Sequence, residues 1–192
     1  LRITRSSLVL IAAVALVVFF RFYRLEQVPK EMFSDQAEKL YDVMDVLLGK
    51  TPVYFERNTG REALQFYLTA LIAIIFNTKI SFLSLKIGTA LAGLLTLPYI
   101  YLLGKQVGGR TVGLLAFVLA GIAYWPNVIS RIGLRFPFYP LFAAPTLFYL
   151  IRGLRYRRRN DFIWSGITLG IGLHGYSPIR FLPVAIVAVV GV

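Results

Sequence analysis

The sequence predicts an all-α membrane protein, a polytopic bundle of transmembrane helices. Hydrophobic residues make up 57% of the 192 residues and charged residues only 16%, whereas a soluble domain carries about 25% charged residues. The hydrophobic residues also occur in long blocks, which is typical of membrane-spanning helices. The predicted helical blocks are residues 7–23, 63–76, 87–104, 111–129, 138–151, 162–173 and 181–192. A spanning helix needs about 20 residues, and uncharged neighbours can lengthen the short blocks 138–151 and 162–173.

The positive charges predict which block does not cross the membrane. The net charge is +12, and the basic residues concentrate at the N-terminus (Arg2, Arg5) and in segments 105–110 and 152–159. Short basic loops face the cytoplasm in membrane proteins. With a cytoplasmic N-terminus, both later segments reach the cytoplasm only if block 63–76 does not cross. We therefore predict that block 63–76 is a juxtamembrane helix in the outer interface.

The acidic residues support the same topology. Eight of the nine lie in residues 24–82, which we predict to be one long outer loop with amphipathic juxtamembrane helices. The whole chain, 1–192, is then a single transmembrane domain. We interpret it as a fragment, because it lacks an initial methionine and stops within an apolar run. The absence of cysteine excludes disulfides and thiolate ligands, and no basic segment has the character of a soluble nucleic-acid-binding module.

The first part of the outer loop predicts an amphipathic helix over residues 35–48. Asp35 and Glu38 have the spacing of a capping box, in which Asp35 is the N-cap and Glu38 reaches back. Lys39, Asp42 and Asp45 share one face of this helix. The opposite face is apolar and consists of Ala37, Leu40, Tyr41, Met44, Leu47 and Leu48. On this pattern alone, the favoured interpretation is that Asp35 caps a helix and that the acids form a solvated face.

A functional interpretation needs the arginines of the outer loops. An acid that faces arginines at a membrane surface suits a lipid-linked phosphate substrate, because arginine binds phosphate through paired, charge-assisted hydrogen bonds. A nearby carboxylate can accept a proton from an incoming hydroxyl. For any single arginine, contact with lipid headgroups is the simpler explanation. The candidate substrate-binding residues are Arg61, Glu62, Arg131, Arg135 and Arg180.

Four segments in this order resemble the GT-C glycosyltransferases, and within them glycosyltransferase family 39, the protein O-mannosyltransferase and aminoarabinose transferase type. They are FSDQAEKLYDVMDVLLGKTPVYFERNTGREALQFYL (33–68), LLGKQVGGRTVGLLA (102–116), SRIGLRFPFYPLF (130–142) and GYSPIRFLP (175–183). The resemblance covers nearly the whole chain. It implies a GT-C type bundle whose enzymes move a sugar from a polyprenyl-phosphate donor to an acceptor on the outer face of the cell membrane.

The resemblance places the catalytic base on Asp35. Where the family has an Asp-Glu pair, however, this chain has Asp35-Gln36, and residues 130–138 lack the second acid that the family often carries there. Glu62 is the best remaining candidate for a second carboxylate. The resemblance leaves open whether a divalent metal is a cofactor. Carboxylates would have to hold such a metal, because the chain has one histidine and no cysteine.

Two alternatives stand beside the transferase. The first is a non-catalytic membrane subunit that uses the same fold within a larger complex, which the missing acids favour. The second is a transporter, which is weaker because transporters usually place a charged residue near the middle of a span. The expected partners of the transferase are the lipid-linked sugar donor, membrane lipids and other membrane subunits.

Overall fold

The computed structural model describes the backbone of residues 5–190 and the side chains of residues 8–188. The structure is 75% helical with almost no strands, which confirms the all-α class. The helices are α1 Arg5–Phe22, α2 Ser34–Leu47, α3 Leu64–Ile75, α4 Phe82–Ile122, α5 Tyr124–Arg131, α6 Phe138–Tyr156, α7 Arg159–Gly172 and α8 Leu182–Val190. A short hairpin of β1 Tyr54–Phe55 and β2 Arg61–Glu62 lies between α2 and α3, and a 3₁₀ helix, Ser177–Phe181, precedes α8. Residues 191 and 192 of the predicted last block lie outside the described residues.

Helix α4 consists of two antiparallel arms. The backbone leaves helical geometry at Gly108 and Gly109, and Gly109 has a φ of +79°, which glycine adopts without steric cost. After the reversal, a Cβ atom on Gly113 would lie 2.6 Å from the carbonyl oxygen of Tyr101. In a straight helix these two residues would be about 18 Å apart. The prediction of one helical block on each side of the basic segment 105–110 is therefore confirmed.

The second arm of α4 ends earlier than predicted. Block 111–129 was expected to be one helix, but Ala123 is extended (φ −58°, ψ 142°) and a separate helix, α5, begins at Tyr124. Pro126 gives the physical reason. It lacks an N–H group and is tolerated in the first turn of a helix but not in its interior. Starting a new helix at Tyr124 places Pro126 in a first turn.

Helices α6 and α7 form a second antiparallel pair. Gly153 packs against the ring of Phe162, and the Ser165 hydroxyl donates a hydrogen bond to the carbonyl of Thr146 over 3.0 Å. Small residues allow helix backbones to approach closely, as in membrane helix pairs. Helix α6 begins where block 138–151 was predicted to begin, and α7 ends one residue before the predicted end of block 162–173. Both helices extend into the basic segment. Arg157, with a φ of +53°, forms the turn between them.

The segment between α1 and α4 has its own small core. Val43 of α2, Phe55 of β1 and Phe66 of α3 are buried together, and the rings of Phe55 and Phe66 are 4.5 Å apart. Helix α3 coincides with block 63–76 to within one residue at each end. This core fixes α2, the hairpin and α3 as one unit against the start of α4.

Helix α2 buries its polar face, which contradicts the prediction of solvated acids. Gln36, Lys39 and Asp42 are all 2% exposed or less, and they face the hairpin and α3. Lys39 pairs with Asp35, the Gln36 amide donates to the carbonyl of Ile132, and one oxygen of Asp42 accepts from Arg57. The other oxygen of Asp42 lies 3.7 Å from Arg61 and has no hydrogen-bond partner among the described residues. The predicted apolar face is the outer one, and Leu48 is 72% exposed. An exposed apolar face suits contact with lipid rather than with water.

The outer surface of the helices is also apolar. Val9 and Ile11 of α1, Leu115 of the second arm of α4 and Val184 of α8 are each more than half exposed. Within the described residues, α4 (Phe82–Ile122) is the helix that contains an apolar stretch long enough to cross a bilayer. Shorter apolar helices occur at Leu8–Phe22, Leu64–Ile75 and Ser177–Ala188.

Candidate functional site

Asp35 lies in the first turn of α2, at the centre of a group of donors. One carboxylate oxygen accepts hydrogen bonds from the guanidinium of Arg61 over 2.5 Å and from the amide of Asn58 over 2.7 Å. The other oxygen accepts from the ammonium of Lys39, one helical turn along α2. We call these four residues the Asp35 cluster. The Asp35 side chain is still 42% exposed, so a substrate can reach it.

The structure corrects the predicted cap. The N-cap residue of α2 is Phe33, not Asp35, and the backbone N–H of Phe33 donates to the side chain of Gln36 rather than of Glu38. Asp35 therefore sits inside the first turn, where a negative charge also interacts favourably with the helix dipole. Its carboxylate is turned towards the β-hairpin. The interpretation of Asp35 as a simple helix cap is wrong.

The electrostatic environment keeps Asp35 ionised. Partial burial alone would raise the pKa of its carboxyl, but the hydrogen bond from Lys39 and the charges of Lys39, Arg61 and Arg135 outweigh burial, so the pKa is lowered. Burial lowers the pKa of Lys39 to about 8, although Asp35 acts in the opposite direction. At neutral pH the cluster therefore contains a carboxylate next to an ammonium that loses its proton easily.

Arg61 connects the hairpin to α2. Its side chain is only 1% exposed, and besides Asp35 it contacts Glu38 at 3.2 Å and lies 3.7 Å from the buried carboxylate of Asp42. Asp42 in turn accepts a hydrogen bond from Arg57 over 2.6 Å. The antiparallel register of the hairpin pairs Phe55 with Arg61, which turns the guanidinium towards α2. Arg61 is thus a buried positive charge beside a partly exposed carboxylate.

Glu62 organises a second group. One of its oxygens accepts from the hydroxyl of Ser177 over 2.7 Å and from the guanidinium of Arg180 over 2.9 Å, and the other accepts from Arg135. We call these four residues the Glu62 cluster. Glu62 is buried, whereas the Arg180 side chain is 59% exposed. Two arginines and one carboxylate leave one uncompensated positive charge, which suits an anionic ligand.

The two clusters are neighbours because β2 supplies a central residue to each. Arg61 and Glu62 are consecutive, and alternate side chains of a strand point to opposite faces. Arg135 is close enough to Asp35 to influence its pKa. Five of the candidate residues therefore lie in the two clusters: Asp35, Arg61, Glu62, Arg135 and Arg180.

Arg131 is not part of this assembly. Its guanidinium donates to backbone carbonyls at the end of α1 and just beyond it, among them those of Phe20 at 2.9 Å and Tyr23 at 2.7 Å. These carbonyls have no partners within the helix, so Arg131 stabilises the end of α1. The structure gives this arginine a structural contact in place of the predicted contact with a substrate.

Gln36 has a structural role that a glutamate could not fill. The side chain is fully buried, and its amide nitrogen donates to the carbonyl of Ile132 over 2.6 Å. Gln65 of α3 makes the parallel contact to the carbonyl of Gly133 over 2.8 Å. A carboxylate has no proton to donate and would face this carbonyl repulsively. Gln36 and Gln65 therefore hold the loop that carries Arg135.

The described residues do not bring together three carboxylate, histidine or cysteine side chains that could hold a metal ion. The carboxylates near Asp35 are each paired with Lys or Arg. The donors present do not fit a divalent cation, and the chemistry considered below uses none.

Sequence reasoning missed Lys39, Asn58 and Ser177. The spacing of four between Asp35 and Lys39 is that of a helical ion pair and could have indicated Lys39. Asn58 reaches Asp35 through the hairpin turn, where its φ is +51°, and Ser177 lies 115 residues from Glu62. No local pattern in the sequence indicates either contact.

Comparison with known proteins agrees with this architecture. No curated protein and no solved structure matches the chain significantly. A family model described as dolichyl-phosphate-mannose-protein mannosyltransferase matches residues 63–191. The match begins directly after β2 and includes α3 and all later helices. Proteins of this family are integral membrane glycosyltransferases of GT-C type that use a lipid-linked sugar donor. The chain therefore belongs to the dolichyl-phosphate-mannose-protein mannosyltransferase family.

Proposed function

We propose that the protein transfers a sugar from a polyprenyl-phosphate donor to an acceptor on the outer face of the membrane, with Asp35 as the general base. The observation that carries the proposal is an exposed, ionised carboxylate held beside an anion-binding group of arginines. The family match supports the transferase class. The polyprenyl carrier, the side of the membrane and the roles of individual residues are proposals.

The proposed reaction uses both clusters. Asp35 accepts the proton of the acceptor's nucleophilic group as that group attacks the anomeric carbon of the sugar. The bond between this carbon and the phosphate oxygen breaks, and the polyprenyl phosphate leaves with the electron pair. Arg180 and Arg135 stabilise the negative charge that develops on the phosphate. Glu62 keeps these two arginines in place.

The arrangement of the helices supports the proposed topology. The reversals at Gly108–Gly109 and at Arg157 lie within the basic segments, and helices α4, α6 and α7 run from there to the other end, where the Asp35 and Glu62 clusters lie. With the basic segments in the cytoplasm, both clusters face outward. This arrangement supports our proposal of a multi-pass protein of the cell membrane with a cytoplasmic N-terminus.

The test is donor turnover by the purified protein in nanodiscs. With a panel of polyprenyl-phosphate sugars, we expect the wild type to consume one donor, and Asp35→Asn to reduce the rate by about 100-fold or more, as expected for loss of a general base. Glu56→Gln is the matched control, because Glu56 is an exposed acid of the same loop and should leave the rate unchanged. Wild-type turnover in Asp35→Asn would refute the role of Asp35.

A non-catalytic membrane subunit is the second candidate. Both oxygens of Asp35 are already occupied by donors, as in a purely structural ion pair. If the folded wild type consumes no donor of the panel and co-purifies stably with other membrane proteins, the subunit function is the correct one.

A further inference from the structure

A cavity of about 300 Å³ lies between α1, both arms of α4, α5 and the beginning of α6. Leu97, Ile100, Ile129 and Pro140 contribute to its largely apolar wall. Its volume is at the lower end of the range for small-molecule sites in proteins. The cavity has no role in the reaction proposed above.

Arg21 of α1 is buried at this cavity. The side chain is 1% exposed, and one terminal nitrogen donates to the hydroxyl of Ser130 and the carbonyl of Pro126. The second terminal nitrogen is 3.5 Å from the carbonyl of Ala120, at the limit of a hydrogen bond, and Nε has no partner. Among the described residues, Arg21 forms no ion pair within 4.0 Å, in contrast to Arg61 and Arg135.

A buried cation without an anion is unfavourable. Desolvation of a charged group costs several kcal/mol unless a counter-charge or hydrogen bonds replace the lost water. The Nε–Nη2 edge of a guanidinium is also the edge that binds phosphate oxygens in a paired arrangement. The least satisfied edge of Arg21 therefore matches a phosphate group in an apolar surrounding.

The cavity lies at the level expected for lipid headgroups. Arg21 is in the last turn of α1, and Trp125, which also lines the cavity, is 69% exposed. Its neighbour Tyr124 is 73% exposed. Exposed Trp and Tyr side chains at helix ends are typical of the membrane interface.

The cavity is separate from the Asp35 and Glu62 clusters. Phe136 lines the cavity and packs against Tyr176, with the ring centroids 5.4 Å apart. None of the eight residues of the two clusters lines the cavity. A ligand in the cavity therefore does not occupy the proposed reaction site.

We propose that this cavity binds one anionic phospholipid of the surrounding membrane, with its phosphate on Arg21 and the first part of one acyl chain along Leu97 and Ile129. The apolar wall suits the chain, and the unpaired charge suits the headgroup. A zwitterionic lipid binds less well, because its own ammonium group already compensates the phosphate and must also be desolvated. The site does not depend on the proposed transfer reaction.

The test is lipid retention, measured by native mass spectrometry of the purified chain in micelles that contain equal amounts of phosphatidylglycerol and phosphatidylcholine. We expect the wild type to retain one phosphatidylglycerol, and Arg21→Gln to lose at least about tenfold in affinity, as for one charge-assisted interaction. Arg24→Gln is the matched control, because Arg24 is an exposed arginine at the same end of α1 and should retain the lipid.

A second variant covers the case in which Arg21→Gln does not fold. Ile129→Trp leaves Arg21 in place but fills the cavity, and we expect it to lose the lipid as well. Equal retention by the wild type and both cavity variants would overturn the proposal. Displacement of the lipid by free inorganic phosphate would show a simple anion site, and displacement by an equal amount of polyprenyl phosphate would reassign the cavity to the sugar carrier.

Discussion

Lys39 is the side chain that makes the Asp35 cluster sensitive to pH. It is 2% exposed and is bonded to Asp35. Burial lowers its pKa to about 8 from an ordinary value of 10.5. Between these two values the unfolded chain binds a proton at this position that the folded protein does not hold. The free energy of unfolding therefore rises with pH across this window.

Replacing Lys39 with methionine should remove this pH dependence. We expect the stability of the wild type, relative to Lys39→Met, to increase from about pH 8 to about pH 10, by at most about 1.4 kcal/mol per pH unit. Thermal unfolding in one detergent across the pH range measures it. Lys50→Met is the control, because the Lys50 side chain is 63% exposed. A difference between wild type and Lys39→Met that does not vary with pH would contradict the burial of this charge.

The amphipathic pattern of helix α2 predicts a helix but does not predict which of its faces is buried. Its amphipathic spacing is visible in the sequence, and the helix begins and ends within one residue of the prediction. The pattern does not say which face is inside. In a soluble protein the apolar face would be buried, but here the apolar face is exposed and Lys39 and Asp42 are buried, which suits contact with lipid.

The antiparallel arms of α4 depend on glycine where they meet. A Cβ atom on Gly113 would lie 2.6 Å from the Tyr101 carbonyl, and backbone atoms cannot move aside cheaply. We expect Gly113→Ala to lower the free energy of unfolding by about 1–2 kcal/mol, since overpacking costs about 1–3 kcal/mol and alanine's better helix propensity returns part of it.

The matched control for this variant is Gly170→Ala. Gly170 is also helical, but nothing lies within 4 Å of its Cβ position, so alanine should be neutral or stabilise by up to about 1 kcal/mol. Denaturant or thermal unfolding of both variants in the same detergent gives the comparison. Equal stability of the two variants would argue against the close approach of the arms.

At the scale of the whole molecule, the proposed topology places the Asp35 cluster and the basic segments on opposite sides of the membrane. The chain has no cysteine, so single cysteines can report each side without a background. We expect Thr51→Cys to react with a membrane-impermeant maleimide in intact cells and Arg157→Cys to react only after permeabilisation. Both positions are exposed. Labelling of both residues in intact cells would refute the topology.

The helical class and most helix positions could be predicted from the sequence, and five of the six candidate residues lie in the two clusters. These follow from hydrophobic blocks and charge placement, which are local or additive properties of the chain. The break at Ala123 also has a local cause in Pro126, although the hydrophobicity of the block concealed it.

The contacts of each charged group depend on how distant segments pack against one another. Arg131 ends α5 and Arg135 lies four residues later in the following loop, yet one stabilises the end of α1 and the other pairs with Glu62. Asn58, Ser177 and the Gln36 contact to Ile132 depend on segments that are distant in the chain. Hydrogen bonds and ion pairs require atoms within about 3 Å, and such proximity is set by how the helices pack, which no pattern within one segment contains.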